Sequence, residues 1–101
     1  WKMATESYFW TEKQDNGNTR LGLNDNGRDD LGQVSFIDVP AVGTKLTNGD
    51  KFVAVEAEKA VTDIDSPVDG EIVAVNQKVI DQPELLGSSD KNDNWIVEVK
   101  A

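Results

Sequence analysis

Phe52-Val53-Ala54-Val55-Glu56-Ala57-Glu58-Lys59-Ala60-Val61-Thr62-Asp63-Ile64-Asp65-Ser66-Pro67 is the stretch that organises this 101-residue chain. Its first four residues are apolar and β-favouring, and Val61, Ile64 and Val68 resume that character after a short break. The break holds two glutamates, two alanines and Lys59, too few residues for a long loop, so the stretch reads as strand, tight turn, strand. A hairpin of this kind lifts one primary amine to its tip, with carboxylates on both sides. In most proteins a surface lysine is only a solvated charge, since lysine is almost never fully buried. The sharper alternative is an attachment point for a cofactor, which needs reach for a modifying enzyme, a rigid base and small neighbours. Ala57, Ala60 and the flanking strands supply the last two, and composition carries the argument no further.

Outward from the hairpin, turn chemistry divides the chain. Residues 6–13 alternate as a strand with Tyr8 and Trp10 on one face, and Asn16-Gly17 supplies the positive φ of a tight turn before a returning strand over 19–23. Asn24 is a capping candidate for a short helical turn closed by Gly32, although Gly27 and several polar residues weaken that helix. Residues 33–39 read as a strand stopped by Pro40, which cannot donate to a ladder, and residues 42–50 hold a strand end and a second Asn-Gly turn. Asp69-Gly70 forms a further turn before a strand over 71–76. Residues 82–87 read as one helical turn, 88–94 as a polar loop, and 95–99 as a closing strand with clean alternation.

Phe52-Val53-Ala54-Val55 and Ile72-Val73-Ala74-Val75 are near-copies 20 residues apart. Two such hairpin units can pair about a pseudo-two-fold axis and bury a shared apolar centre, although short Val-rich strings also recur by chance. Many short strands with regular turn signals predict an all-β, antiparallel flattened sandwich or barrel with one or two short helical turns. The length predicts a single domain over 1–101 and a modest core.

Composition excludes several functions. Nineteen acidic residues stand against 10 basic ones, a net charge of −9, which disfavours nucleic acid and anionic membrane surfaces alike. That balance suits basic patches on partner proteins. With no cysteine and no histidine, disulfides, thiolate catalysis, cysteine metal sites and imidazole proton shuttling are unavailable. Asp63 and Asp65 share a strand face, but simple surface charge explains them better than cation binding. The glycine-containing turns lack the Gly-Lys-Ser/Thr ending of a phosphate loop. No apolar run approaches the roughly 20 residues of a membrane span, and residues 1–10 do not read as a signal peptide, so a cytoplasmic monomer with no catalytic site and no metal is expected.

Glu56-Ala57-Glu58-Lys59-Ala60, followed by Asp63-Ile64-Asp65-Ser66-Pro67-Val68-Asp69-Gly70-Glu71-Ile72-Val73, resembles the lipoyl-lysine signature of lipoyl domains, and more closely that of the glycine cleavage H proteins and their shorter H-like relatives. The likeness extends from about Tyr8 to Val99. It takes in Tyr8-Phe9-Trp10, Thr19-Arg20-Leu21-Gly22-Leu23, the run from Asp29 to Gly43 with its Pro-x-x-Gly corner, Pro83-Glu84-Leu85-Leu86 and Trp95-Ile96-Val97. Family members continue into a C-terminal helical segment beyond the point where this sequence stops. Residues 88–94 also lack the family's aromatic-glycine run, and both departures fit a shorter H-like branch.

The resemblance implies a barrel-sandwich fold and a non-catalytic carrier, with lipoic acid amide-linked to Lys59 as a swinging arm. Glu56 and Glu58 would be a carboxylate pattern read by a lipoate ligase or lipoyltransferase. In a true H protein the arm would accept an aminomethyl group from glycine decarboxylase, offer it to an aminomethyltransferase and be reoxidised by dihydrolipoyl dehydrogenase. In an H-like protein it would serve lipoate relay or redox defence beside macrodomain and sirtuin-type enzymes, with Asp29 matching the family position for ADP-ribosylation. The plain reading of Asp29 is a solvated helix-turn carboxylate. Two other readings stand: a biotin carrier, disfavoured because Glu58 and Ala60 replace the methionines expected beside a biotinyl lysine, and an unmodified acidic interaction module.

Overall fold

Short β-favouring runs separated by Asn-Gly and Gly turns leave the chain little choice but to fold back repeatedly. The computed structural model describes residues 7–101, so Glu6, placed in the first strand by the sequence, lies outside the described residues. The strands are β1 (Phe9–Lys13), β2 (Thr19–Leu23), β3 (Val34–Asp38), β4 (Lys45–Leu46), β5 (Lys51–Ala57), β6 (Val61–Asp65), β7 (Gly70–Val75) and β8 (Trp95–Lys100). They form a five-stranded antiparallel sheet in the order β1-β2-β8-β7-β4 and a three-stranded one in the order β3-β5-β6. The body is flattened, with extents of 37 × 34 × 21 Å.

The two near-copies fall into opposite sheets: β5 is the centre of the small sheet, and β7 lies between β8 and β4 in the large one. Phe52 and Ile72 are both fully buried in one core that also takes in Leu21, Leu31, Val53 and Val97. Phe9 of the large sheet meets Phe52 of the small one edge to face, with ring centroids 5.3 Å apart. That geometry suits the aromatic quadrupole and couples the two layers.

Among the described residues four helical segments are present where one or two were expected: α1 (Asp25–Leu31), α2 (Gln77–Asp81), a 3₁₀ turn (Pro83–Gly87) and α3 (Lys91–Asn94). α1 forms despite Gly27 because the glycine is needed for space. A Cβ there would lie 2.6 Å from Leu23 Cδ1 and 2.8 Å from the Tyr8 carbonyl. Its ends are held by Asn24, whose side chain accepts from Gly27 N, and by Gly32, whose N–H donates to the Arg28 carbonyl. The sequence reads 88–94 as a polar loop; instead Asp90 caps a helical turn by accepting from Asn92 N. α2 is likewise capped by Asn76, which ends β7 one residue earlier than the sequence suggests.

The expected alternation of β8 also fails, since Ile96, Val97, Glu98 and Val99 are all buried. A register shift between Leu21 and Gly22 inserts Ile96 as an extra residue on β8. Glu98 points to the face opposite Val97 and Val99 and is covered there by Asn16, Asn18 and Arg20 at 3.1, 2.9 and 3.2 Å.

Candidate functional site

β5 and β6 pair in register from Val53↔Ile64 to Glu56↔Val61, beyond a register shift between Lys51 and Val53, and the Ala57 N–H closes the turn on the Ala60 carbonyl at 2.8 Å. Lys59 therefore sits at the tip of a tight hairpin, and it is exposed. What stiffens the tip is the end of α1. The Lys59 N–H donates to the Leu31 carbonyl at 2.9 Å, and the Glu58 N–H donates to the Gln33 carbonyl at 2.8 Å. Two main-chain bonds, one to the end of α1 and one to Gln33 just beyond it, fix the lysine backbone while its side chain projects.

Gly32 makes this contact possible. Its φ of 73° is the left-handed region that glycine enters without a Cβ penalty. A Cβ there would lie 2.8 Å from Glu58 Oε1 and 3.1 Å from Glu58 Cβ. The helix stop visible in the sequence is thus also the seat on which the hairpin tip rests, a role that only the pairing of distant segments reveals.

The Lys59 ammonium donates to the main-chain carbonyl of Asp29 at 2.8 Å. This carbonyl belongs to the last turn of α1, where the helix leaves acceptors unsatisfied and a cation is favoured. The amine is at the surface, as the sequence suggests, yet it rests on α1 rather than standing clear. The same contact brings Asp29 beside Lys59, although 30 residues separate them in sequence. The Asp29 side chain is exposed.

The two glutamates part company. Glu58 turns toward Gly32, with Oε1 3.4 Å from the Gln33 N–H, so part of its role is local. Glu56 is exposed on the outer face of the small sheet, and among the described residues its carboxylate has no hydrogen-bond or ion-pair partner. Asp63 lies 3.7 Å from Lys51 Nζ, and no cluster of three metal-ligating side chains occurs among the described residues. No described helix is long and apolar enough to cross a membrane.

Sequence reasoning passed over Phe36. In a strand over 33–39 strict alternation puts Val34, Phe36 and Asp38 on one face. The structure inserts Ser35 as an extra residue opposite β5, which turns Val34 and Ile37 inward and leaves Phe36 and Asp38 outside. The Ser35 hydroxyl donates to the Glu56 carbonyl at 3.1 Å, tying down the bulge.

An exposed amine on small neighbours, held by a stiff hairpin, is chemically suited to amide attachment. Residues 2–101 match the family model described as glycine cleavage H-protein. A glycine cleavage system H protein of Saccharophagus degradans is 40% identical over 95 residues, covering 94% of this chain and 73% of the relative. A probable one of Natronomonas pharaonis is 38% identical over 96 residues, covering 95% and 75%. The crystal structure of a glycine cleavage system H protein from Mycobacterium marinum superposes with a TM-score of 0.82 at 28% identity, covering 94% of this chain and 79% of that one. With the two-sheet fold and the family match over nearly its whole length, the chain belongs to the glycine cleavage H-protein family, whose members are non-catalytic carriers serving the other glycine cleavage enzymes.

Proposed function

We propose that this chain is a lipoyl carrier, with lipoate joined to Lys59 Nζ by an amide bond and partners among the glycine cleavage enzymes. The observation that carries the reading is the anchored tip. Lys59 is exposed, its backbone is bonded to Leu31, and the residues on each side of the hairpin neck are the small Ala57 and Ala60. Once attached, lipoate supplies a dithiolane on a long tether, and the chain supplies its position and recognition. The tether raises the effective concentration of that group at a partner's active site without new contacts.

For attachment, Nζ must leave the Asp29 carbonyl and lose a proton. Its lone pair then attacks the acyl carbon of a lipoyl-adenylate. The C–N bond forms, the acyl C–O bond to the adenylate breaks, AMP departs, and the nitrogen gives its remaining extra proton to solvent. Glu56, exposed and unpaired among the described residues, is the carboxylate available for a ligase's basic groups, with Glu58 contributing from the tip.

Intact mass after incubation with a lipoate ligase, lipoate and ATP tests the proposal, with Lys59→Arg as control. One lipoyl increment on the wild type and none on the variant is the expected result. A biotin-sized increment in cells, or no increment in either setting, would replace this reading with a biotin carrier or an unmodified module. Asp29 is proposed as a second modification position, because its exposed side chain lies on the residue that receives Lys59 Nζ. Peptide mapping for ADP-ribose after treatment with NAD and a sirtuin-type transferase tests it, and an unmodified Asp29 removes it.

A further inference from the structure

Three large hydrophobic side chains are exposed among the described residues: Phe36 at 49%, Val42 at 61% and Val61 at 80%. Two of the three lie in one cross-strand row. The pairings Phe36↔Glu56 and Glu56↔Val61 run straight across β3, β5 and β6, so the row reads aromatic, carboxylate, valine. Two residues along, Asp38↔Ala54 and Ala54↔Asp63 make a second row of carboxylate, alanine, carboxylate on the same face. The opposite face of these strands is committed to the core through Ile37, Val53 and Val55. Ala54, the smallest side chain of the two rows, helps leave a shallow depression of about 500 Å³ bordered by Phe36, Glu56, Val61 and Asp63.

We infer that this outer face of the small sheet is the docking surface for the enzyme that acylates Lys59, and that it accepts an apolar side chain flanked by lysines or arginines. The inference rests on the lipoyl-carrier reading. Charge selects the partner: three carboxylates lie in the two rows, and among the described residues Lys51, beside Asp63, is the single cation paired with any of them. Position selects it too. Glu56 is three residues before Lys59 on the same hairpin, roughly 10 Å along the chain at strand spacing. An enzyme that holds the amine therefore lies beside this face. The patch is small, which suits a weak, transient encounter.

The test is steady-state acylation of the full chain by a purified lipoate ligase with lipoate and ATP, varying the carrier concentration. Phe36→Ser and Val61→Thr are each expected to raise KM for the carrier about tenfold with kcat changed less than about twofold, as loss of an apolar contact at a docking site would do. Val42→Thr, at another exposed valine, outside the two rows, is expected to leave KM unchanged. Raising salt should weaken the wild type more than an Asp38→Asn/Asp63→Asn variant, because screening acts on charges the variant has lost. If Phe36→Ser folds poorly, Val61→Thr on the edge strand still decides. An unchanged KM for Val61→Thr, with wild-type Lys59 acylated normally, overturns the docking surface alone. Absence of acylation on the wild type overturns it together with the carrier reading.

Discussion

The two sheets treat their polar groups in opposite ways. At one end of the large sheet the side chains are locked to each other: Trp10 Nε1 donates to Asn94 Oδ1 at 2.8 Å, and Asn94 Nδ2 donates to the Ser88 carbonyl at 2.7 Å. Beside them Glu98 accepts from three donors, Arg20 stacks 4.3 Å from the Trp95 ring centroid, and Lys91 pairs with Glu12. The small sheet has an interior just as well packed, yet its outer face leaves Phe36 and Val61 open and Glu56 without a partner among the described residues. A network that is fully satisfied makes one arrangement unique. A face that is not satisfied contributes little to stability and stays available to another molecule.

That contrast can be broken most severely at Gly22. A Cβ there would lie 2.4 Å from Trp10 Cζ2, and the rigid indole cannot yield without losing Asn94. Gly22→Val should cost about 3 kcal/mol and lower the melting temperature by about 15 °C. A melting temperature near that of the wild type would show the Trp10 contact to be loose. Asn94→Ala comes next, at about 2 kcal/mol in urea unfolding, because it strands both the half-buried Trp10 N–H and the Ser88 carbonyl.

Glu98→Gln should cost about 1 kcal/mol near neutrality, and its pH dependence sharpens the comparison. Hydrogen bonds from Asn18, then Asn16, hold the Glu98 carboxyl below its ordinary value of 4.5, with Arg20 adding to them against the opposing effect of burial. A depressed folded value means the contribution is complete above the unfolded value and is lost as pH falls through the folded one. The gap between wild type and Glu98→Gln should therefore be full at about pH 7 and shrink progressively below about pH 4.5. A gap that holds constant down to about pH 3 would separate Glu98 from the acid limb.

The smallest effect on stability belongs to the tip. Lys59→Gln gives up one surface hydrogen bond to the Asp29 carbonyl and should change stability by less than about 0.5 kcal/mol, while abolishing acylation altogether. A large loss of stability in this variant would mean that the ammonium is part of the scaffold rather than parked upon it.

Much of this was legible from residue types alone. Asn16-Gly17 and Asn48-Gly49 turn where expected, with positive φ at both glycines. The hairpin from β5 to β6 forms around Lys59, and Asn24 and Gly32 bound a helix. α2 and α3 were not legible, since five and four residues are too few for a helical period to declare itself. Their caps, Asn76 and Asp90, are residues equally at home in loops. At the site, the sequence marked Lys59, Glu56, Glu58 and Asp29 one by one but could not show that Glu58 leans on Gly32 or that Asp29 holds the amine.

The sequence by itself determined where the chain reverses, which runs become strands and which amine reaches a tip, because turn and strand preferences are local. Which way each side chain faces was decided only in the folded molecule. An extra residue at Ser35 reverses the alternation of β3 and puts Phe36 outside, while Glu98, on the face opposite Val97 and Val99, is buried only by the side chains of Asn16, Asn18 and Arg20. A single inserted residue shifts the two-residue period of a strand by half a cycle, and whether it is inserted depends on the partner strand. That dependence joins segments far apart in the chain, so no local pattern encodes it.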